Sequence, residues 1–175
     1  MGVAPAVHHT TGMKALVVYY SRSGNTQRVA RAIAAELGAD LEPIVEPRKR
    51  LGLRAWMRSG YEATKKLVVP IEPPLHDLAQ YDLVVVGTPT WASSPSSPVR
   101  TFLTVQRANL RNVAFFATCG GRGAEHAIKE MGRIAGKEPA DVLVLREDEI
   151  HGGFADKLSR FVREIRLVLE PRKAA

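Results

Sequence analysis

Five short runs of apolar and β-branched residues, each followed by a stretch of helical spacing, constrain this chain most. Residues 14–20 are apolar at almost every position, and Leu83-Val84-Val85-Val86, within residues 82–87, is the clearest run. A strand that is apolar at consecutive positions is buried on both faces, as strands of parallel sheets are. Shorter runs lie at residues 41–45, 113–117 and 141–145. The intervening segments place apolar residues on one helical face: Val29, Ile33 and Leu37, then Val99, Phe102 and Leu103, then Ala127, Ile128, Met131 and Ile134, and last Phe154, Leu158, Phe161, Ile165 and Val168. Gly38 is placed to end the first of these helices, and Ser97 to cap the second with Pro98 at its first position. Alternating strand and helix predicts an α/β fold, a single-domain doubly wound five-stranded parallel sheet with helices on both faces.

Length and composition narrow the options. A chain of 175 residues, 45% hydrophobic, holds one domain with a real core. Residues 1–12 show neither periodicity nor a secretory pattern and are expected to be a disordered leader. The fold is expected over 13–170, with 171–175 as a tail. A single cysteine, Cys119, rules out an internal disulfide and points to a reducing, cytoplasmic setting. No apolar run has transmembrane length, and no Cys or His spacing suits structural zinc.

The formal net charge is +7, and seven of the cations fall within residues 48–66 (Arg48, Lys49, Arg50, Arg54, Arg58, Lys65 and Lys66). That segment has helical composition, with Leu53, Trp56, Met57 and Tyr61 on one face, but Gly52 and Gly60 weaken it. Its plain reading is a solvated helix face. No helix-turn-helix, RNA-recognition or zinc-finger pattern accompanies it, so nucleic acid is not expected as a partner. Residues 68–74 are Pro-punctuated and expected to be extended.

In a doubly wound sheet, ligands sit beyond the carboxyl ends of the strands, where the strand order reverses. Three unusual loops should converge there. The first is Ser21-Arg22-Ser23-Gly24-Asn25-Thr26, which runs from a strand into a helix. Its hydroxyls, its glycine and the helix N-terminus suit a phosphate, although the same residues serve as ordinary turn and cap residues elsewhere. It has neither the P-loop lysine nor the triple-glycine dinucleotide pattern. The second is Thr88-Pro89-Thr90-Trp91-Ala92, and the third is Cys119-Gly120-Gly121-Arg122-Gly123.

Taken together, these loops resemble the flavodoxin family. Residues 21–26 are similar to its [ST]-x-[ST]-G-N-T phosphate loop, and residues 81–91 to its third strand and flavin loop. The resemblance implies strand order 2-1-3-4-5 and an FMN cofactor. It implies that Ser21, Ser23, Gly24, Asn25 and Thr26 hold the phosphate through side-chain and backbone donors. Arg22 either adds a charge there or points into solvent. Thr88, Pro89, Thr90, Trp91 and Ala92 would flank the flavin, with Trp91 stacked on the ring, and Cys119, Gly120 and Gly121 would approach it from the third loop.

Two departures from the family pattern bear on function. Ala92 and Ser93 follow the aromatic residue, where a Gly and an acidic residue are common, so a left-handed backbone is costlier there. The third loop lacks the family's Asp and Tyr, which leaves one flavin face open. Both weaken one-electron shuttling and favour two-electron chemistry. The basic shell predicts a less negative potential for full reduction than in acidic relatives. Cys119, His126 and His151 are expected to be structural or surface residues, and no nucleophile–base–acid set is apparent. The leading expectation is an FMN electron carrier working with a redox partner protein or small-molecule acceptor. A small FMN oxidoreductase such as a quinone reductase is the alternative, and a non-redox binding module of the same fold is the alternative from another class.

Overall fold

The computed structural model describes residues 12–47 and 68–169. The basic segment 48–66 and the expected leader and tail lie outside the described residues, apart from Gly12.

Strand β1 (Ala15–Tyr19) leads through helix α1 (Asn25–Leu37) to β2 (Asp40–Pro43). Next come β3 (Leu83–Trp91) and β4 (Ser94–Pro95), then α2 (Ser97–Gln106) and β5 (Asn112–Cys119). Helix α3 (Ala124–Ala135), strand β6 (Val142–Arg146) and helices α4 (Glu147–Gly152) and α5 (Ala155–Leu169) complete the described chain. The parallel sheet has the order β2-β1-β3-β5-β6, while β4 pairs antiparallel with the end of β3. The five parallel strands and their order agree with the sequence reading.

The consecutive apolar runs are buried on both faces. Ala15, Val17, Tyr19, Leu83, Val85, Ala114, Phe116, Leu143 and Leu145 face α1 and α5, packing on Val29, Ile33, Phe161 and Ile165. Leu16, Val18, Val84, Val86, Val113 and Phe115 face α2 and α3, packing on Val99, Phe102, Leu103, Ile128 and Met131. Gly38 ends α1 in the left-handed conformation (φ 68°), donating its N–H to Ala34 O.

Several boundaries move. Ser96, not Ser97, is the N-cap of α2, which puts Pro98 at the second helical position. The cause is local: the Ser96 N–H donates to Thr88 Oγ1 at 2.9 Å, which holds Ser96 extended and starts the helix one residue early. Strand β3 continues four residues past Gly87, the expected end, to pair with β4. Helix α4 has no counterpart in the sequence reading. Phe154 precedes α5, and Val168 is 61% exposed, because the α5 stripe turns off the core in its last turn.

One buried ion pair lies within the α2–α3 interface. The Arg100 and Glu130 side chains are 5% and 2% exposed and meet at 3.1 Å. Such a pair adds little net stability against apolar replacement but is costly to break on one side.

Gly87 sits opposite Phe116 in the β3–β5 register, and a Cβ there would fall 1.9 Å from the Phe116 ring. Phe116 is fully buried and has no room to retreat. Gly87→Ala is therefore expected to cost about 1–3 kcal/mol. Urea unfolding should also show a smaller cost for the same change in a Phe116→Ala background; equal costs in the two backgrounds would refute the contact.

Candidate functional site

The carboxyl ends of β1, β3 and β5 open at one edge of the sheet. Helix α1 leads from β1 outward to β2, while α2 leads from β3 the other way to β5, so the reversal lies between β1 and β3. That is where a doubly wound sheet leaves a crevice.

The first loop is a tight turn: Ser21 Oγ accepts from the Gly24 N–H at 3.1 Å. Gly24 has φ 96° and stands at the N-cap of α1. No side chain caps this helix, and its first turn holds no acidic residue. Its leading N–H groups and positive dipole end are therefore not neutralised from within the helix. The side chain of Asn25 donates to Glu147 Oε1 at 2.6 Å. Thr26 is buried and shares a 2.8 Å hydrogen bond with Thr118 Oγ1. These two side chains, read from sequence as phosphate donors, are engaged within the protein. To an anion the loop offers backbone N–H groups and the hydroxyls of Ser21 and Ser23.

The second loop is a hairpin extending the buried strand. Thr88 is fully buried; its Oγ1 donates to Pro89 O at 2.9 Å and lies 3.2 Å from Ser96 Oγ. Pro89, Thr90 and Trp91 are half-buried, and Thr90 Oγ1 is buried without a hydrogen-bond partner. The Tyr20 ring meets Trp91 edge-on, with centroids 5.7 Å apart, and the Arg22 guanidinium lies over the indole at 5.3 Å. Arg22 is thus placed against the aromatic residue. The Tyr20 hydroxyl donates to Glu46 at 2.7 Å, which steadies this pair from below. At the tip, Ala92 (φ 48°) and Ser93 (φ 58°) both adopt the left-handed conformation. Two such residues in succession make the turn whose twist matches a hairpin, at about 1–2 kcal/mol for each side chain held there.

The third loop begins at Cys119, which is buried, its Sγ donating to Gly121 O at 3.5 Å. Burial pushes its thiol above the ordinary range, and the nearby Glu125 carboxylate adds to this. Gly120 and Gly121 are exposed, and a Cβ at Gly121 would meet nothing. Gly123 differs: at φ 94°, a Cβ there would fall 2.3 Å from Ser93 Oγ. His126 Nδ1 lies 2.8 Å from Ser93 O. Beside this loop runs an open cleft of about 460 Å3 lined by Cys119, Gly121, Glu125, Val144, Arg146 and Lys157. Its cations are paired, Arg146 with Asp148 and Lys157 with Glu149.

All three sequence-predicted loops therefore come together, joined by Thr26 to Thr118, Arg22 to Trp91 and Ser93 to Gly123. Sequence reasoning passed over Ser93 and Glu147 as site residues and took His126 for an ordinary helix-face residue. The hairpin that recruits Ser93 and His126 leaves no turn signature such as Asn-Gly in the chain. Among the described residues, no cluster of His, Cys, Asp and Glu could hold a metal ion, and no helix is long and apolar enough to cross a membrane.

The Flavodoxin family model matches residues 14–143. A flavoprotein of Lactobacillus acidophilus, solved in complex with FMN, superposes with a TM-score of 0.68 at 24% identity, covering 85% of this chain and 99% of that one. Oxidised flavodoxin 1 of Bacillus cereus gives a TM-score of 0.53 at 19% identity, covering 87% and 96%. An NAD(P)H dehydrogenase (quinone) of Chromohalobacter salexigens is 34% identical over 95 residues. That match takes in 51% of this chain and 45% of the relative, so the chain spans less than half of that protein's length.

The buried thiol gives a direct test. Burial holds the Cys119 thiol protonated to higher pH than a free thiol and limits access to it, so iodoacetamide should label it more slowly than free cysteine at pH 7. Its labelling rate should keep rising to higher pH than that of a free thiol. With the folded value raised, the unfolded thiol ionises first. This group's contribution to stability therefore falls as pH rises through the unfolded value of about 8.5. Fast labelling at pH 7 would contradict the burial.

Proposed function

The chain belongs to the flavodoxin family, and from that premise we propose that it binds FMN at the three gathered loops and acts as an electron carrier. The observation that carries this reading is the uncapped N-terminus of α1, opened by Gly24 and free of acidic residues in its first turn. A phosphate dianion fits that end by charge and by hydrogen bonding. Charge-assisted bonds are worth about 1.5–3 kcal/mol each, so several N–H groups suffice without a lysine.

Ser21, Ser23 and the backbone N–H groups of Asn25 and Thr26 would hold the phosphate, with Gly24, whose N–H is given to Ser21 Oγ, turning the chain around it. Pro89, Thr90, Trp91 and Ala92 would border the ring, above the fully buried Thr88 and with Trp91 as the stacking surface, and Cys119, Gly120 and Gly121 would line the far side. Arg22, over Trp91, would bring a positive charge to the ring end of the site. When bound, FMN supplies the redox chemistry, and the protein sets its orientation and electrostatics. The working unit is assigned to residues 13–170. The partner is a redox protein or a small acceptor in the cytoplasm, a setting drawn from the single buried cysteine.

Two observations favour a second reading, a small FMN-dependent quinone reductase. The relative from Chromohalobacter salexigens is named as a quinone-reducing enzyme. The exposed Gly120 and Gly121 leave one side of the site without a bulky side chain, so a planar acceptor has room to approach.

The deciding measurement is a visible absorption spectrum after incubation with FMN and desalting. Retained flavin bands support the carrier and reductase readings alike, and NADH-driven turnover of a quinone separates the second from the first. Loss of all flavin would leave only the fold and would advance a non-redox binding role. In the loaded protein, Arg22→Gln should make the two-electron potential more negative by about 20 mV, which corresponds to about 1 kcal/mol of lost charge stabilisation. An unchanged potential in redox titration would move Arg22 out of the ring's environment.

A further inference from the structure

We propose that His126 is a positioning residue that latches the flavin-facing hairpin from helix α3; the cofactor part of the proposal rests on the FMN reading above. Ala92 and Ser93 both stand in the left-handed conformation, in a turn ordinarily built from Asn-Gly or Gly-Gly. Neither residue favours this geometry. The hairpin's own pairing is slight, limited to Thr90 with Pro95 and Trp91 with Ser94, and Pro95 has no N–H to contribute. The conformation must therefore be held from outside the hairpin.

Helix α3 provides the hold at two points one turn apart. Gly123 forms a notch for Ser93: a Cβ at this glycine would fall 2.3 Å from Ser93 Oγ and 2.8 Å from Ser93 Cα. Three residues on, His126 Nδ1 lies 2.8 Å from Ser93 O. The carbonyl can only accept, so the imidazole donates. The proton must be on Nδ1, as it is in the Nδ1–H tautomer and in the imidazolium. Trp91 lies two residues before the latched carbonyl, so the latch fixes the orientation of the aromatic surface assigned to the ring. His126 itself need not touch the cofactor.

The test uses the full chain and two variants. His126→Ala removes the donor. His126→Asn keeps one, since its side-chain amide stands near the place of the imidazole Nδ1. Backbone hydrogen exchange across residues 92–94, measured without FMN, should quicken about fivefold in His126→Ala, the equivalent of one hydrogen bond. The FMN dissociation constant, from quenching of flavin fluorescence, should rise by about the same factor. His126→Asn should restore both. Wild-type exchange and affinity in His126→Ala would overturn the proposal, as would equal losses in the two variants. If the wild-type chain takes up no FMN, the cofactor reading falls on its own, and the exchange comparison still decides the latch.

Discussion

Strand β3 has a paired neighbour on each edge and helices on each face, so its backbone groups have no route to water and must find partners within the sheet. The rest of the architecture follows from that requirement. The register with β1 runs from Ala15↔Leu83 to Tyr19↔Gly87, and that with β5 from Leu83↔Asn112 to Pro89↔Thr118. Side chains can then fill both faces only in alternation, which sends Val84 and Val86 to one core and Leu83 and Val85 to the other. Gly87 breaks the alternation because the Phe116 ring needs the space. Beyond it the strand turns polar, and the site begins.

The site is thus an extension of the most rigid element in the molecule. Thr88 stays fully buried only because Ser96 and the Pro89 carbonyl satisfy its hydroxyl. The same contact with Ser96 fixes where α2 starts. Four residues along, Arg100 meets Glu130 and ties α2 to α3. The hairpin, the start of α2 and the first turn of α3 form one mechanical unit. Strain at Ala92 and Ser93 is tolerable because their surroundings are over-determined.

The sequence made the frame legible and hid the contacts at its edge. Residues such as Leu16–Val18 and Val84–Val86 announce buried strands because they are short, rich in β-branched valine and apolar at consecutive positions, as a strand covered on both faces requires. The β3–β4 hairpin was hidden because Ala92-Ser93 is not a turn signal; its conformation comes from tertiary contact. Helix α4 was hidden because Glu147-Asp148-Glu149 carries a single buried apolar residue, Ile150, too little for periodicity to register. Arg100 and Glu130 were passed over because single charges on a helix usually face solvent, and only the partner helix shows that they do not. In the candidate site, the loops were legible as types of loop, but the commitments of Asn25 to Glu147 and Thr26 to Thr118 join residues about a hundred positions apart, and local pattern cannot show them.

Holding the cofactor and tuning it fall on different elements under the FMN reading. The first loop offers an anion mainly backbone N–H groups at the end of α1, and no single side-chain change removes these. Anchoring there should be robust to substitution. The environment of the ring depends instead on Trp91, on Arg22 above it and on the shape of a hairpin held from α3. The overall charge of +7 biases the ring toward its reduced anion only weakly, since cations more than about 8–10 Å away are screened at physiological salt. Arg22 at 5.3 Å from the indole acts inside that range. Variation in redox behaviour among relatives of this chain should therefore track the residues around the hairpin and its seat on α3, while the phosphate loop stays the same.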